Sequence, residues 1–415
     1  MLSLRLTRGA HPLVLLRRLL VVAAAAGVGF LLLCTLGYAV AHPKATGESL
    51  VRLVWCAVPL AAVVQFALAV ARTDPATRPR DGLDAIGLGP VRLSLLAAAS
   101  TALSCSVGSG VALLVYLELR GDLGGTPLSG SASRLLDGNA PLPWAATLTL
   151  LGLLPVLAAG TCALVLRPRS GGERRARAAA KHTDEGPQDT ADAPAAPVTP
   201  APPRAPKPSY TGLPWGITII TVGLAMEAYV ARGPAPAPDA LLALPGSDGA
   251  SPGVIGGWLL ASLGLVLAGP GLTHWCGVLL AAGRPGAVRL LAGRILQDAA
   301  TRIGRPLGVL CAVASASLAA AELYGAAWEA DGSRPFGPLT GLGAGLVMSC
   351  VTATAITAAL DSRQSRAGTT SALNRLGIPH SLLRGAAVLR TGVLLAVLTP
   401  LTWAIAELAA LPMTR

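Results

Sequence analysis

Leu19–Ala41 reads LLVVAAAAGVGFLLLCTLGYAVA, 23 residues without a charge. A bilayer core about 30 Å thick is crossed by about 20 apolar residues in a helix, so this stretch places the chain in a membrane. Segments of the same kind recur at about Val51–Ala71, Val91–Leu119, Pro143–Leu166, Leu213–Val230, Val254–Ala282, Pro306–Gly325, Pro338–Leu360 and Gly385–Met413. The expectation is an all-α integral membrane protein with about nine transmembrane helices, eight to ten within the play of the boundaries. Lipid cannot satisfy an open peptide group, which leaves the helix as the form such segments take. Composition agrees. The 415 residues are 53% hydrophobic and 13% charged, with mean hydropathy +0.60, whereas soluble proteins carry about 25% charged residues. No room remains for a sizeable water-soluble domain.

Arg5, Arg8, Arg17 and Arg18 precede the first span, and Ala39-Val40-Ala41 resembles a signal-peptide cleavage site. A signal core has only about 7–15 apolar residues, and the second span follows almost at once, so a retained helix is expected. The net charge of +12 and pI near 10.1 do not require nucleic acid. Most of the 33 Lys and Arg fall on the connections of one face, the positive-inside pattern. It implies a multi-pass protein of the cell (plasma) membrane with a cytoplasmic N-terminus. The seven Cys all fall within spans, without metal-binding spacing, and read as small buried apolar residues.

The chain divides into residues 1–166 with four spans, a basic Ala/Pro-rich linker at 167–212, two connecting spans at 213–282, and 283–415 with three more. The linker cannot bury a core and is expected to be disordered. Arg284–Arg305 carries Val288, Leu291, Ile295, Ala299 and Ile303 at helical spacing between arginines. It reads as an amphipathic helix lying in the interface plane. Gly269-Pro270-Gly271 is expected to kink or break the sixth span. Gly341-xxx-Gly345 in the eighth is expected to let another helix approach closely.

Enzyme signals are poor. There is no GxxxxGK[ST] loop, HExxH or GxSxG, and neither a catalytic residue, a metal site nor a cofactor is expected. His274 is the one His well inside a span. Glu118, Glu227, Glu322 and Glu407 lie toward the outer ends of spans, as interfacial carboxylates or as an acidic vestibule that attracts a cationic substrate.

One pattern occurs twice. Leu83-Asp84-Ala85-Ile86-Gly87-Leu88 and Leu373-Asn374-Arg375-Leu376-Gly377-Ile378 are 290 residues apart, and at the same offset Leu93 matches Leu383, Ala97 Ala387, Thr101 Thr391 and Val107 Val397. Each copy joins two spans, as expected of a structural unit used twice.

An Arg-bearing stretch ending in L-x-x-[IL]-G-[LI] between two spans resembles the FtsX-like (MacB-type) permeases of ABC transporters. Gly269-Pro270, Arg284-Pro285 and the run Ala292 to Asp298 resemble its two-unit, actinobacterial members. The resemblance implies that both copies are cytoplasmic elements touching an ABC ATPase on a separate chain. Leu83, Ile86, Leu373 and Leu376 would enter partner grooves, and Gly87 and Gly377 would permit the turn into the next span. The loops His42–Leu50 and Ala326–Gly337 are too short for the large outer domain of MacB-like pumps, and the second unit lacks an obvious fourth helix.

The expected function is therefore a permease subunit, not itself an enzyme. It would couple a separate ATPase to movement of a lipophilic or amphipathic substrate, or to a transmembrane conformational signal. Its partners would be that ATPase and membrane lipid, with a homodimer compatible. Two other readings stay open: an ion-coupled secondary transporter using Gly269–Gly271 and His274, and a degenerate structural or sensory membrane protein.

Overall fold

The computed structural model describes residues 12–44, 46–73, 90–122, 141–166, 212–230, 232, 252–282, 286–331, 338–364 and 380–411. Among them are nine helices long and apolar enough to cross a membrane. They are α1 (Pro12–Ala41), α2 (Thr46–Thr73), α3 (Pro90–Arg120), α4 (Trp144–Val165), α5 (Gly212–Val230), α6 (Pro252–Ala282), α7 (Ala287–Asp331), α8 (Pro338–Gln364) and α9 (His380–Ala410). Neighbours in sequence run antiparallel. The end of the bundle where α1 begins is called the N-face below, and the end where α9 finishes the C-face. The protein is an all-α, multi-pass membrane protein.

The 290-residue offset of the sequence repeat extends to three whole helices. Shifted by 290, α1 ends at 331, where α7 ends, and α3 becomes 380–410, the bounds of α9; α2 becomes 336–363, against 338–364 for α8. The buried faces correspond as well. Val21, Ala25 and Gly29 of α1 match buried Cys311, Ser315 and Ala319 of α7. Gly108, Ala112, Tyr116 and Arg120 of α3 match buried Leu398, Thr402, Ala406 and Ala410 of α9. In both sets the first helix packs against the other two, which scarcely touch each other. The sets meet through the equivalent helices α2 and α8, where Cys350 joins a core of Cys56, Val63, Leu32 and Leu154. Both sets begin on the same face, the arrangement of a parallel repeat related by an axis along the membrane normal.

What stands around the two sets differs. In the first, α4 covers α3 and the flank of α2, with the Ser109 hydroxyl donating to the Leu151 carbonyl oxygen at 3.2 Å. Among the described residues no helix covers α9 in that way. Ala98 and Cys105 of α3 are 6% and 0% exposed, while their counterparts Val388 and Leu395 are 72% and 60% exposed. The second set is flanked on another side by α5 and α6.

In lipid, helices associate through close van der Waals contact, which small residues allow. The α6 helix shows this on two faces. Toward α5, a Cβ on Gly216 would fall 2.7 Å from that of Ala268, and one on Gly264 2.7 Å from the Ile220 nitrogen. Toward α7, a Cβ on Gly308 would fall 2.8 Å from the Leu265 oxygen, and Gly269 meets Gly304 closer still. Gly269-Pro270-Gly271 therefore does not break the helix, which runs unbroken from Pro252 to Ala282. Its two glycines seat Gly304 and Leu213.

Two further expectations are corrected. The amphipathic stretch after Arg284 does not lie in the interface plane. It forms one 45-residue helix with the seventh span, and its buried Ala292 packs with Leu280 of α6 and Ala386 of α9. At 1.5 Å per residue that helix is about 67 Å long, well over the thickness of a bilayer core of about 30 Å. Gly341 and Gly345 of α8 have nothing within 4 Å of an added Cβ; the α8 glycine that faces a neighbour is Gly343, 3.6 Å from Leu31. The linker expected at 167–212 lies, but for Gly212, outside the described residues.

Gly304→Val should force α6 and α7 apart. A cost of about 1–3 kcal/mol should lower the melting temperature in detergent by about 2–6 °C. Gly345→Val, with open space around it, should leave the melting temperature unchanged.

Candidate functional site

Leu83, Ile86, Gly87, Leu373, Leu376 and Gly377 lie outside the described residues. The helix ends that flank them are described and equivalent: Thr73 and Pro90 around the first copy, Gln364 and His380 around the second, all at the N-face. The N-face ends of α2, α3, α8 and α9 are thus the described elements nearest to both copies in sequence.

At the first of these ends the structure supplies a tie. Arg17 of α1 donates from Nη1 to Thr73 Oγ1 at 3.2 Å, on the last residue of α2. The Thr73 hydroxyl in turn donates to the Val70 carbonyl at 3.0 Å. The buried end of α2 is thus held to α1 just where the first connection departs. Beside it lies a small cavity between α1, α2 and α3, with Val21, Ala67, Val70 and Ala71 on one side and Arg18, Ser100, Thr101 and Ser104 on the other. The three hydroxyls donate back to carbonyls of their own helix at 2.9–3.0 Å. They therefore keep acceptor lone pairs, beside the Arg18 side chain that lines the same cavity. The polar side of this mostly apolar cavity suits a water molecule. It holds no nucleophile paired with a base, and no described group of three His, Cys, Asp or Glu could hold a metal ion.

Sequence reading took Arg17 and Arg18 as a basic flank and did not single out the hydroxyls. A signal existed: Ser100, Thr101 and Ser104 stand within one helical turn of each other on α3. In the second set the arginines change helix. Arg17 and Arg18 correspond to Leu307 and Gly308, while Ser94 and Ser100 correspond to Arg384 and Arg390.

The C-face carries a different cluster. The Arg52 guanidinium sits 3.5 Å over the Tyr38 ring, a cation–π contact, and His42 stacks on the same ring at 4.4 Å. Together they fasten the short turn from α1 to α2. Nearby on α3, buried Arg120 pairs with Asp122 at 3.4 Å.

The four carboxylates read as interfacial or as a vestibule have unlike settings. Glu322 on α7 is exposed, and Glu118 on α3 and Glu407 on α9 are half-buried. Glu227 on α5 is 0% exposed. Because α3 packs on α1, α4 and the edge of α2, while α5 packs on α6 and the edge of α9, Glu118 and Glu227 stand in different groups of helices. The α7 and α9 helices, bearing Glu322 and Glu407, do pack together. His274 is half-buried on α6, one helical turn from the glycines that seat α5 and α7. All seven cysteines are buried free thiols; Cys162 donates to Thr101 Oγ1 at 3.8 Å.

No family model matches the chain, and no curated protein or solved structure matches it significantly. The fold itself defines the class, a multi-pass helical membrane protein built on a duplicated three-helix set.

Thr73→Val keeps the shape and removes the acceptor for Arg17. Deuterium uptake at the last turn of α2 should rise severalfold. Thr161→Val, whose hydroxyl bonds only within α4, should leave uptake in its own turn near the wild-type level.

Proposed function

We propose that the chain is the membrane-spanning permease subunit of an ABC transporter, of the FtsX-like two-unit type. It would lie in the cell membrane with its N-face in the cytoplasm. The observation that carries this reading is the recurrence of α1–α3 as α7–α9, with equivalent ends and equivalent buried faces. A machine moved by a motor with two nucleotide-binding sites needs two similar handles on one side of the membrane. Here the connections that hold the two sequence copies leave equivalent helix ends on a single face.

The chain has no phosphate-binding loop, so ATP hydrolysis falls to a separate subunit. Force applied at the α2–α3 and α8–α9 connections would enter α2 and α8. These two helices touch in the middle of the bundle, so sliding or rotation at that contact would change how the two sets face each other. The Arg17–Thr73 bond would make α1 follow α2. Lipophilic or amphipathic cargo suits a bundle whose outward surface is largely apolar, with Leu96, Leu103, Val388 and Trp403 among many exposed large side chains.

The test is co-purification with an ABC ATPase encoded beside this chain. The wild type should retain the ATPase, and Gly87→Trp combined with Gly377→Trp should lose at least about 90% of it, as blocking a packed interface centre does. A folded double variant that still holds the ATPase at wild-type levels would overturn the proposed contacts.

A further inference from the structure

Glu227 is the most isolated charged-type side chain described in this membrane. It is 0% exposed, and neither carboxyl oxygen has a hydrogen-bond partner. Its stem is pressed against α6, where a Cβ on Gly257 would fall 3.0 Å from the Glu227 Cβ. One turn earlier on α5, a Cβ on Gly223 would fall 2.6 Å from the Gly257 oxygen. The glycines thus make a closed slot that admits the carboxyl and brings it no donor.

Among the described residues, the surroundings contain nothing to balance a charge. No residue of α6 from Pro252 to Ala261 is titratable, and Glu227 is the one Asp, Glu, Lys, Arg or His in α5. The other helix against α5, α9, carries half-buried Glu407 toward this end, an anion that could only repel. Arg232, just beyond α5, is exposed. An isolated carboxylate in such a setting would cost several kcal/mol even after relaxation, more than a domain's packing can readily absorb. A neutral carboxyl costs far less. The slot lies three residues from the end of α5 at Val230, so a small parting of α5 from α6 would bring the group to water.

We propose that Glu227 is a proton-exchange site: its carboxylate takes a proton from water as α5 closes on α6, and the carboxyl returns that proton to water when the helices part. One O–H bond forms and the same bond breaks, so closure of this helix pair carries one proton. The proposal stands on the burial and isolation of Glu227 and does not depend on the permease reading.

The experiment is carbodiimide labelling of the full chain in lipid nanodiscs at neutral pH, mapped by mass spectrometry. Dicyclohexylcarbodiimide partitions into lipid and adds to protonated carboxyls; a water-soluble carbodiimide reaches exposed ones. The lipophilic reagent should modify Glu227 at least tenfold more than Glu118, Glu322 or Glu407, and the water-soluble reagent should leave Glu227 unmodified. Lack of lipophilic labelling at Glu227 in folded protein, or equal labelling by both reagents, would overturn the proposal. Protection by sodium against choline at constant pH would make the ligand a metal cation and overturn it too. Glu227→Gln, a neutral residue of the same shape, should keep the melting temperature within about 2 °C of wild type. A fall of about 10 °C would show that packing relies on the ionised form.

Discussion

Lipid offers a peptide group no hydrogen bond, and it offers one helix no hydrophobic reason to prefer another helix over itself. The first half of that constraint makes every span of this chain a helix. The second makes association depend on how closely backbones can meet. Here backbones meet closely at glycine and alanine: Gly269 against Gly304, Gly108 against Ala25, Gly29 against Ala112, Gly216 against Ala268. The α6 helix carries such contacts on two faces at once. It binds α5 on one side and the long α7 on the other, and it also touches α9. Adding a methyl group at these points would separate whole helices rather than disturb one side chain.

Polar groups obey the same constraint in a quieter way. Many hydroxyls described in the spans return their proton to a carbonyl one turn back on their own helix, as Thr273 does to Gly269 at 2.8 Å and Thr402 to Leu398 at 2.7 Å. A few are used between helices, and these mark places where position matters: Arg17 on Thr73, Ser109 on Leu151. Glu227 follows neither pattern: both of its carboxyl oxygens are buried without a hydrogen-bond partner.

The duplicated set is symmetric in its centre and asymmetric at its rim. Equivalent faces of α1 and α7, and of α3 and α9, are buried, so packing within each set has been kept. The covering helices have not. The first set has α4, and the second has α5 and α6 on a different side. As a result Thr101 and Ser109 are covered by a neighbour, while their counterparts Thr391 and Thr399 are exposed.

Apolar length and charge bias were enough to read the nine spans, because both are sums over local residues and need no knowledge of neighbours. The repeat was legible for a related reason: matching positions such as Thr101 and Thr391 keep their spacing whatever surrounds them. Contact partners were not legible. Gly269-Pro270-Gly271 and Gly341-xxx-Gly345 look alike as small-residue signals, yet the first is gripped by two helices and the second faces outward. The stretch after Arg284 has an apolar face that suits an interface or another helix, and only α6 and α9 decide between them. Glu227 could not be told from Glu322 by composition or depth in its span. Burial is a property of what lies opposite a residue, and opposite Glu227 lies Gly257, thirty residues on and brought there by the antiparallel return of α6.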